Sequence, residues 1–147
     1  MLKRVAASVV AVGAAAVIWA GSATGTTGSQ RFSISGSNNG GSVYASGPIS
    51  GSGRDIVFGQ NADKFVFPAG SVWVSHQATS QSQTVDPRSC LGRFTESGTY
   101  QLVKGTGAYR GVTGSGTYSA RGTSRGCDQN TASNRYFVTA SGWTKLP

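Results

Sequence analysis

Five glycines fall within twelve residues of this chain, in Gly105-Thr-Gly-Ala-Tyr-Arg-Gly-Val-Thr-Gly-Ser-Gly116. No helix survives that density, because each glycine costs roughly 1 kcal/mol against alanine in a helix interior. Gly105, Gly107, Gly111, Gly114 and Gly116 suit instead a chain that reverses sharply, with φ > 0 at some points and backbone pressed on backbone at others. Strand-like runs flank the segment, Tyr100 to Lys104 before it and Thr117 to Arg121 after it. The stretch therefore reads as a tight corner between two adjacent antiparallel strands.

The rest of the chain agrees with a β architecture. Glycine makes up 22 of 147 residues and charged residues only 12%, roughly double and about half their usual shares. Phe32-Ser-Ile-Ser35 and Val43-Tyr-Ala45 are short alternating runs, and Asp55 to Phe58 is a candidate third strand. Phe65-Val-Phe67, Pro68-Ala-Gly70 and Val72 to His76 read as a hairpin. Its second strand sets Val72, Val74 and His76 on one face and Trp73 and Ser75 on the other. Gln77 to Arg88 reads as a polar surface loop, and Phe94 to Ser97 as irregular. Gly122 to Gly126 reads as a further loop, carrying Cys127. Arg135 to Trp143 is the clearest strand, with Tyr136, Val138 and Ala140 facing one way and Phe137 and Thr139 the other. Nowhere past the first two dozen residues do apolar positions recur with helical period. About eight short strands punctuated by glycine predict a single closed antiparallel barrel, which leaves no exposed edge.

Residues 1–23 have a separate character. Lys3 and Arg4 precede a run of about 16 apolar residues from Val5 to Ala20, and Gly21 and Ala23 are placed for cleavage after Ala23. This is the pattern of a secretory signal peptide, and the run falls short of the ~20 residues that span a bilayer. Residues 24–29 read as a flexible lead-in and 30–147 as the barrel domain. The expected location is outside the cell, with no membrane span once the signal is removed. There, an even cysteine count reads as one disulfide, Cys90–Cys127. The net charge of +8 falls by two when Lys3 and Arg4 leave. Its arginines are scattered without a run, which fits charge kept for solubility with at most weak contact to anionic envelope polymers. Arg110 beside Tyr109 and Arg135 beside Tyr136 give only a faint basic and aromatic interleaving, and export argues against nucleic acid as a partner.

Gly105-Thr-Gly-Ala-Tyr-Arg-Gly-Val-Thr-Gly114 resembles the Gly-Thr-Gly-x-aromatic-x-Gly-Ala-x-Gly corner of the allene oxide cyclase and dirigent barrel superfamily. Phe65 to His76, with Asp86-Pro-Arg-Ser-Cys90, is similar to exported actinobacterial proteins carrying that barrel. The resemblance spans about half of the chain after the signal, and Val112 stands where the pattern has a small alanine. It implies an eight-stranded antiparallel barrel. It transfers no catalytic residue, since a shared barrel does not carry chemistry with it.

Chemistry is sparsely marked. The glycine spacing is not that of a dinucleotide loop, and no phosphate-binding lysine motif follows. His76 is the only histidine, and Asp55, Asp63, Asp86, Glu96 and Asp128 are the only carboxylates. None shows ligand-like spacing, so no metal site and no cofactor is expected. Gly122-Thr-Ser-Arg-Gly126 spells a Gly-x-Ser-x-Gly elbow but lacks the helix that gives that motif meaning. His76 reads as a structural residue at a strand end and Glu96 as an exposed loop acid. An eight-stranded barrel is just wide enough to hold one small ligand. The favoured reading is therefore a binding module for a small apolar molecule, in or at the mouth of the barrel. Candidate wall residues are Phe65, Phe67, Trp73, Tyr100, Leu102, Tyr118, Tyr136 and Val138. The alternatives are a cyclase- or isomerase-type enzyme, as the resemblance implies, and a structural envelope protein whose barrel is filled by its own aromatics. The reading leans away from an enzyme, and a cavity holding a buried carboxylate or arginine among aromatics would move it toward one.

Overall fold

The computed structural model describes residues 25–128 and 131–147; the expected signal segment, 1–23, lies outside the described residues. Eight antiparallel strands close into a barrel in simple chain order. They are β1 (Thr27–Ser37), β2 (Gly40–Ser46), β3 (Gly51–Val57), β4 (Ala62–Phe67), β5 (Gly70–Asp86), β6 (Leu91–Gly105), β7 (Thr113–Arg125) and β8 (Ser133–Lys145). Each pairs with its sequence neighbour, and β1 closes on β8 from Thr27↔Lys145 to Ser37↔Arg135. Among the described residues no helix is long and apolar enough to cross a membrane.

The glycine corner joins β6 to β7, which pair from Leu91↔Arg125 to Leu102↔Gly114. Inside it sits one short 3₁₀ turn, Gly107–Tyr109, which swings Tyr109 under the barrel. Gly107 takes φ 60° while the Ala69 carbonyl abuts its α-carbon, leaving no room for a side chain. Gly116 is extended and serves the second purpose: it faces Gly142 across the β7–β8 ladder, with the Tyr100 ring against it.

Three segments expected to be irregular are strand. Gln77 to Asp86 continues β5, Phe94 to Ser97 lies inside β6, and Gly122 to Arg125 belongs to β7. Gly122-Thr-Ser-Arg is thus ladder-paired on both sides, and no nucleophile elbow exists there. The far half of β5 is polar and exposed on both faces, so it carries no alternation to mark it; pairing with β6 holds it extended. Thr27 to Ser29, expected as lead-in, already pair with Lys145, Thr144 and Trp143.

The barrel is closed at one end and open at the other. At the end where β1 starts and β8 finishes, which also bears the β2–β3, β4–β5 and β6–β7 connections, Ile49, Phe67, Leu102, Tyr109 and Val112 are all buried. The wholly buried Gln30 ties this plug together. Its Nε2 donates to the carbonyls of Ser46 (3.1 Å) and Ile49 (2.9 Å), and its Oε1 accepts from the Ile49 amide at 2.9 Å. Above the plug, Phe32 meets Phe65 and Tyr100 at ring-centroid distances of 5.3 and 6.0 Å. At the opposite end β5 to β8 rise well past the shorter β2 to β4, and Cys90–Cys127 bridges the β5–β6 and β7–β8 connections. Reducing agent should raise the mass of the intact protein by about 2 Da, as opening one such bridge requires; an unchanged mass would refute the bridge.

Candidate functional site

Above the floor made by Phe32, Phe65 and Tyr100 lies a cavity of about 240 Å³, flanked at its mouth by Gly59 and Gln60 of the β3–β4 turn. Inward positions of antiparallel strands alternate with outward ones, so each of the six strands from β3 to β8 presents a polar group to it. In order these are Asp55, Asp63, His76, Glu96, Tyr118 and Tyr136. Two register shifts in the β5–β6 ladder, between Trp73/Val74 and between Ala78/Ser80, bracket the stretch that carries Val74 and His76 inward. Bulges of this kind commonly re-aim side chains beside sites.

The polar groups form three pairs. Tyr136 donates its hydroxyl hydrogen to Asp55 Oδ2 at 3.0 Å, and Tyr118 donates to Glu96 Oε1 at 2.5 Å. His76 Nε2 lies 3.2 Å from Asp63 Oδ2, and its ring stands edge-on to that of Tyr118 at 5.7 Å. Glu96 Oε2 accepts a further bond from Gln81 Nε2 at 2.7 Å. Among the described residues three buried side-chain atoms have no hydrogen-bond partner, and two of them, Asp55 Oδ1 and the Tyr100 hydroxyl, belong to residues that line the cavity. Asp55 is only 5% exposed, and a buried polar atom left unpaired ordinarily costs about 1–3 kcal/mol.

Electrostatics follow from this arrangement. Burial, reinforced by Asp63, pushes the Asp55 carboxyl up to about 6, against the opposing pull of the Tyr136 hydrogen bond and of His76. The hydrogen bond to Asp63 raises the pKa of His76. Burial pushes the Tyr100 phenol up to about 12, and burial together with the neighbouring carboxylates raises Tyr118 and Tyr136. A carboxyl raised in the folded state favours folding fully below its ordinary value of 3.8, and that contribution is lost as pH rises through about 6. Asp55→Asn should therefore stabilise the protein above that range by about 1–2 kcal/mol, allowing for water reaching the cavity. Below pH 3.8 it should change little. Thermal unfolding of both proteins across pH checks this, and a variant less stable at neutral pH would contradict it.

The expected wall divides three ways. Phe65, Tyr100, Tyr118, Tyr136 and Val138 line the cavity. Phe67 and Leu102 point inward but lie in the plug, Phe67 edge-on to Tyr109 at 5.8 Å. Trp73 is on the outside, between Lys64 and Lys104 at 4.6 and 5.0 Å from its ring, because its strand neighbours Val72 and Val74 take the inward positions. Glu96 is not a loop acid; it lies in β6 and faces the cavity. His76 is not at a strand end but within β5. Asp55 and Asp63 were not singled out by the sequence, which offered only that each borders a short β-like run.

Asp63 and His76 supply two members of a hydrolytic triad. No serine, threonine or cysteine among the described residues lines the cavity, so the pair has no nucleophile to activate. Among the described residues no group of three His, Cys, Asp or Glu side chains is placed to hold a metal ion. No family model, curated protein or solved structure matches this chain.

Proposed function

We propose that this is an exported protein that takes a small, largely apolar molecule into the open end of its barrel. The observation that carries the reading is a cavity floored by Phe32, Phe65 and Tyr100, with polar atoms held at defined points of its wall. Apolar walls with a few placed polar groups are the usual make-up of small-molecule sites. A barrel filled from end to end by its own aromatics would have favoured a structural role; here only one end is plugged. Export rests on the pattern of residues 1–23 and agrees with the Cys90–Cys127 bridge. Native mass spectrometry of protein recovered from its own culture medium should reveal an added small-molecule mass. Ala120 is buried and faces the cavity, so Ala120→Phe should abolish that mass while the barrel still folds. Protein recovered free of ligand would count against the reading.

A second reading, proton transfer on the bound molecule as in a cyclase or isomerase, draws support from Asp55. A carboxyl raised to about 6 among aromatic rings, with one oxygen unpartnered, is suited to give and take a proton near neutral pH. Exchange of carbon-bound hydrogen of the co-purified molecule in D₂O, lost in Asp55→Asn, would establish it. Unchanged exchange in the variant would dismiss Asp55 as the acid or base.

A further inference from the structure

Charge is distributed unevenly between this cavity and the rest of the molecule. The chain holds 13 Lys and Arg against 5 Asp and Glu. Yet three of those five acids, Asp55, Asp63 and Glu96, line the cavity, and no lysine or arginine among the described residues does so. His76 is the only cationic group facing them, and even when protonated it leaves the site negative. The remaining titratable groups on the wall, Tyr100 from β6, Tyr118 from β7 and Tyr136 from β8, are neutral phenols.

Hydrogen bonding is biased the same way. Tyr118 and Tyr136 spend their hydroxyl hydrogens on Glu96 and Asp55, so toward the cavity these hydroxyls offer acceptor lone pairs. The Asp55 carboxylate joins them on the wall; the residue is 5% exposed, and its Oδ1 is buried without a donor. Around these acceptors stand the aromatic rings of the floor and of Phe94. Ring faces attract cations, and an ammonium brings donors with no acceptor of its own. An anionic ligand would meet three carboxylates and no fixed cation but His76.

We propose that the molecule accepted by this cavity is a cation, an amine carried on a small aromatic or aliphatic body, with its ammonium on the Asp55 carboxylate. This rests on the cavity reading above and adds the sign of the ligand's charge. The acceptor is already desolvated and unpaired, so binding satisfies it and returns a cost that the empty protein carries.

The test uses the disulfide-bonded protein and three probes of like shape: 2-phenylethylamine, 2-phenylethanol and 3-phenylpropionate, titrated calorimetrically. The amine should bind about tenfold or more tightly than the alcohol, as a charge-assisted hydrogen bond warrants, and the carboxylate should bind least. Amine affinity should fall as pH drops through about 6, where Asp55 gains its proton. Asp55→Asn keeps an acceptor for Tyr136 and should bring amine and alcohol to near parity; Glu96→Gln provides a second, independent reduction of negative charge and should weaken the amine alone. Alcohol or carboxylate binding as tightly as the amine would overturn the charge assignment while leaving the cavity reading intact. Binding of none of the three up to their solubility limits would overturn both.

Discussion

Replacing Phe32 with alanine should lower the stability of the barrel by about 4 kcal/mol. Phe32 is 2% exposed and meets both Phe65 and Tyr100, while its backbone is laddered to Ala45 on one side and Ala140 on the other. Loss of the ring removes buried apolar area and leaves a void. Here the void opens into the cavity already present, and the closed ladder on both sides keeps β1 from sinking inward to fill it. The cost should therefore lie toward the upper part of the range for large-to-small core changes. A domain of this size has only about 5–15 kcal/mol in total, so the transition temperature should drop by roughly 15 °C. Chemical denaturation should show a lower midpoint with an unchanged slope. A loss below about 1 kcal/mol would mean that the floor is not packed as described. The same variant should admit bulkier ligands, since its pocket is deeper.

Opening the Cys90–Cys127 bridge should have an effect of similar size. The two cysteines are separated by 37 residues in sequence, and a closed loop of that length stabilises by about 4 kcal/mol on the chain-entropy view. Cys90→Ser with Cys127→Ser should unfold at correspondingly lower denaturant. The bridge joins the tips of two hairpins, β5–β6 and β7–β8, whose neighbouring ladders include Phe94, Gly122 and Tyr136. The double variant should consequently show faster amide hydrogen exchange at those tips than at the plug. Uniform exchange across the molecule, with no loss of stability, would show that the ladders alone hold these hairpins.

Much of the fold was legible because glycine and alternation speak directly about backbone. The corner at Gly105 to Gly116 and the faces of Val72 to His76 and Tyr136 to Ala140 lie where periodicity set them. Legibility ended where a strand had nothing to hide. Gln77 to Asp86 is exposed on both faces and extended only because β6 runs beside it, a contact that no local pattern reports. The site was harder still. Asp55 sits opposite Phe65 in the β3–β4 ladder, so it inherits an inward position from its partner, while the apolar Ile56 turns outward. Reading β3 alone, apolarity would have chosen the wrong face. Trp73 shows the reverse error: its size invited a place in the wall, although the alternation of its own strand put it outside between two lysines. Pairing Tyr118 with Glu96 and Tyr136 with Asp55 depends on strand register, which becomes visible only when the ladders close.

β1 begins and β8 ends at the sealed pole, where the Leu146 amide donates to the Thr26 carbonyl at 2.8 Å. A tag, tether or solid support attached after Pro147 therefore sits on the side away from the mouth, and a protein immobilised that way keeps its opening facing bulk solution. The same adjacency lets a short linker splice Gly25 to Pro147, so that a barrel freed of residues 1–24 can be cut afresh at the β1–β2 turn without disturbing a single rung of the ladder.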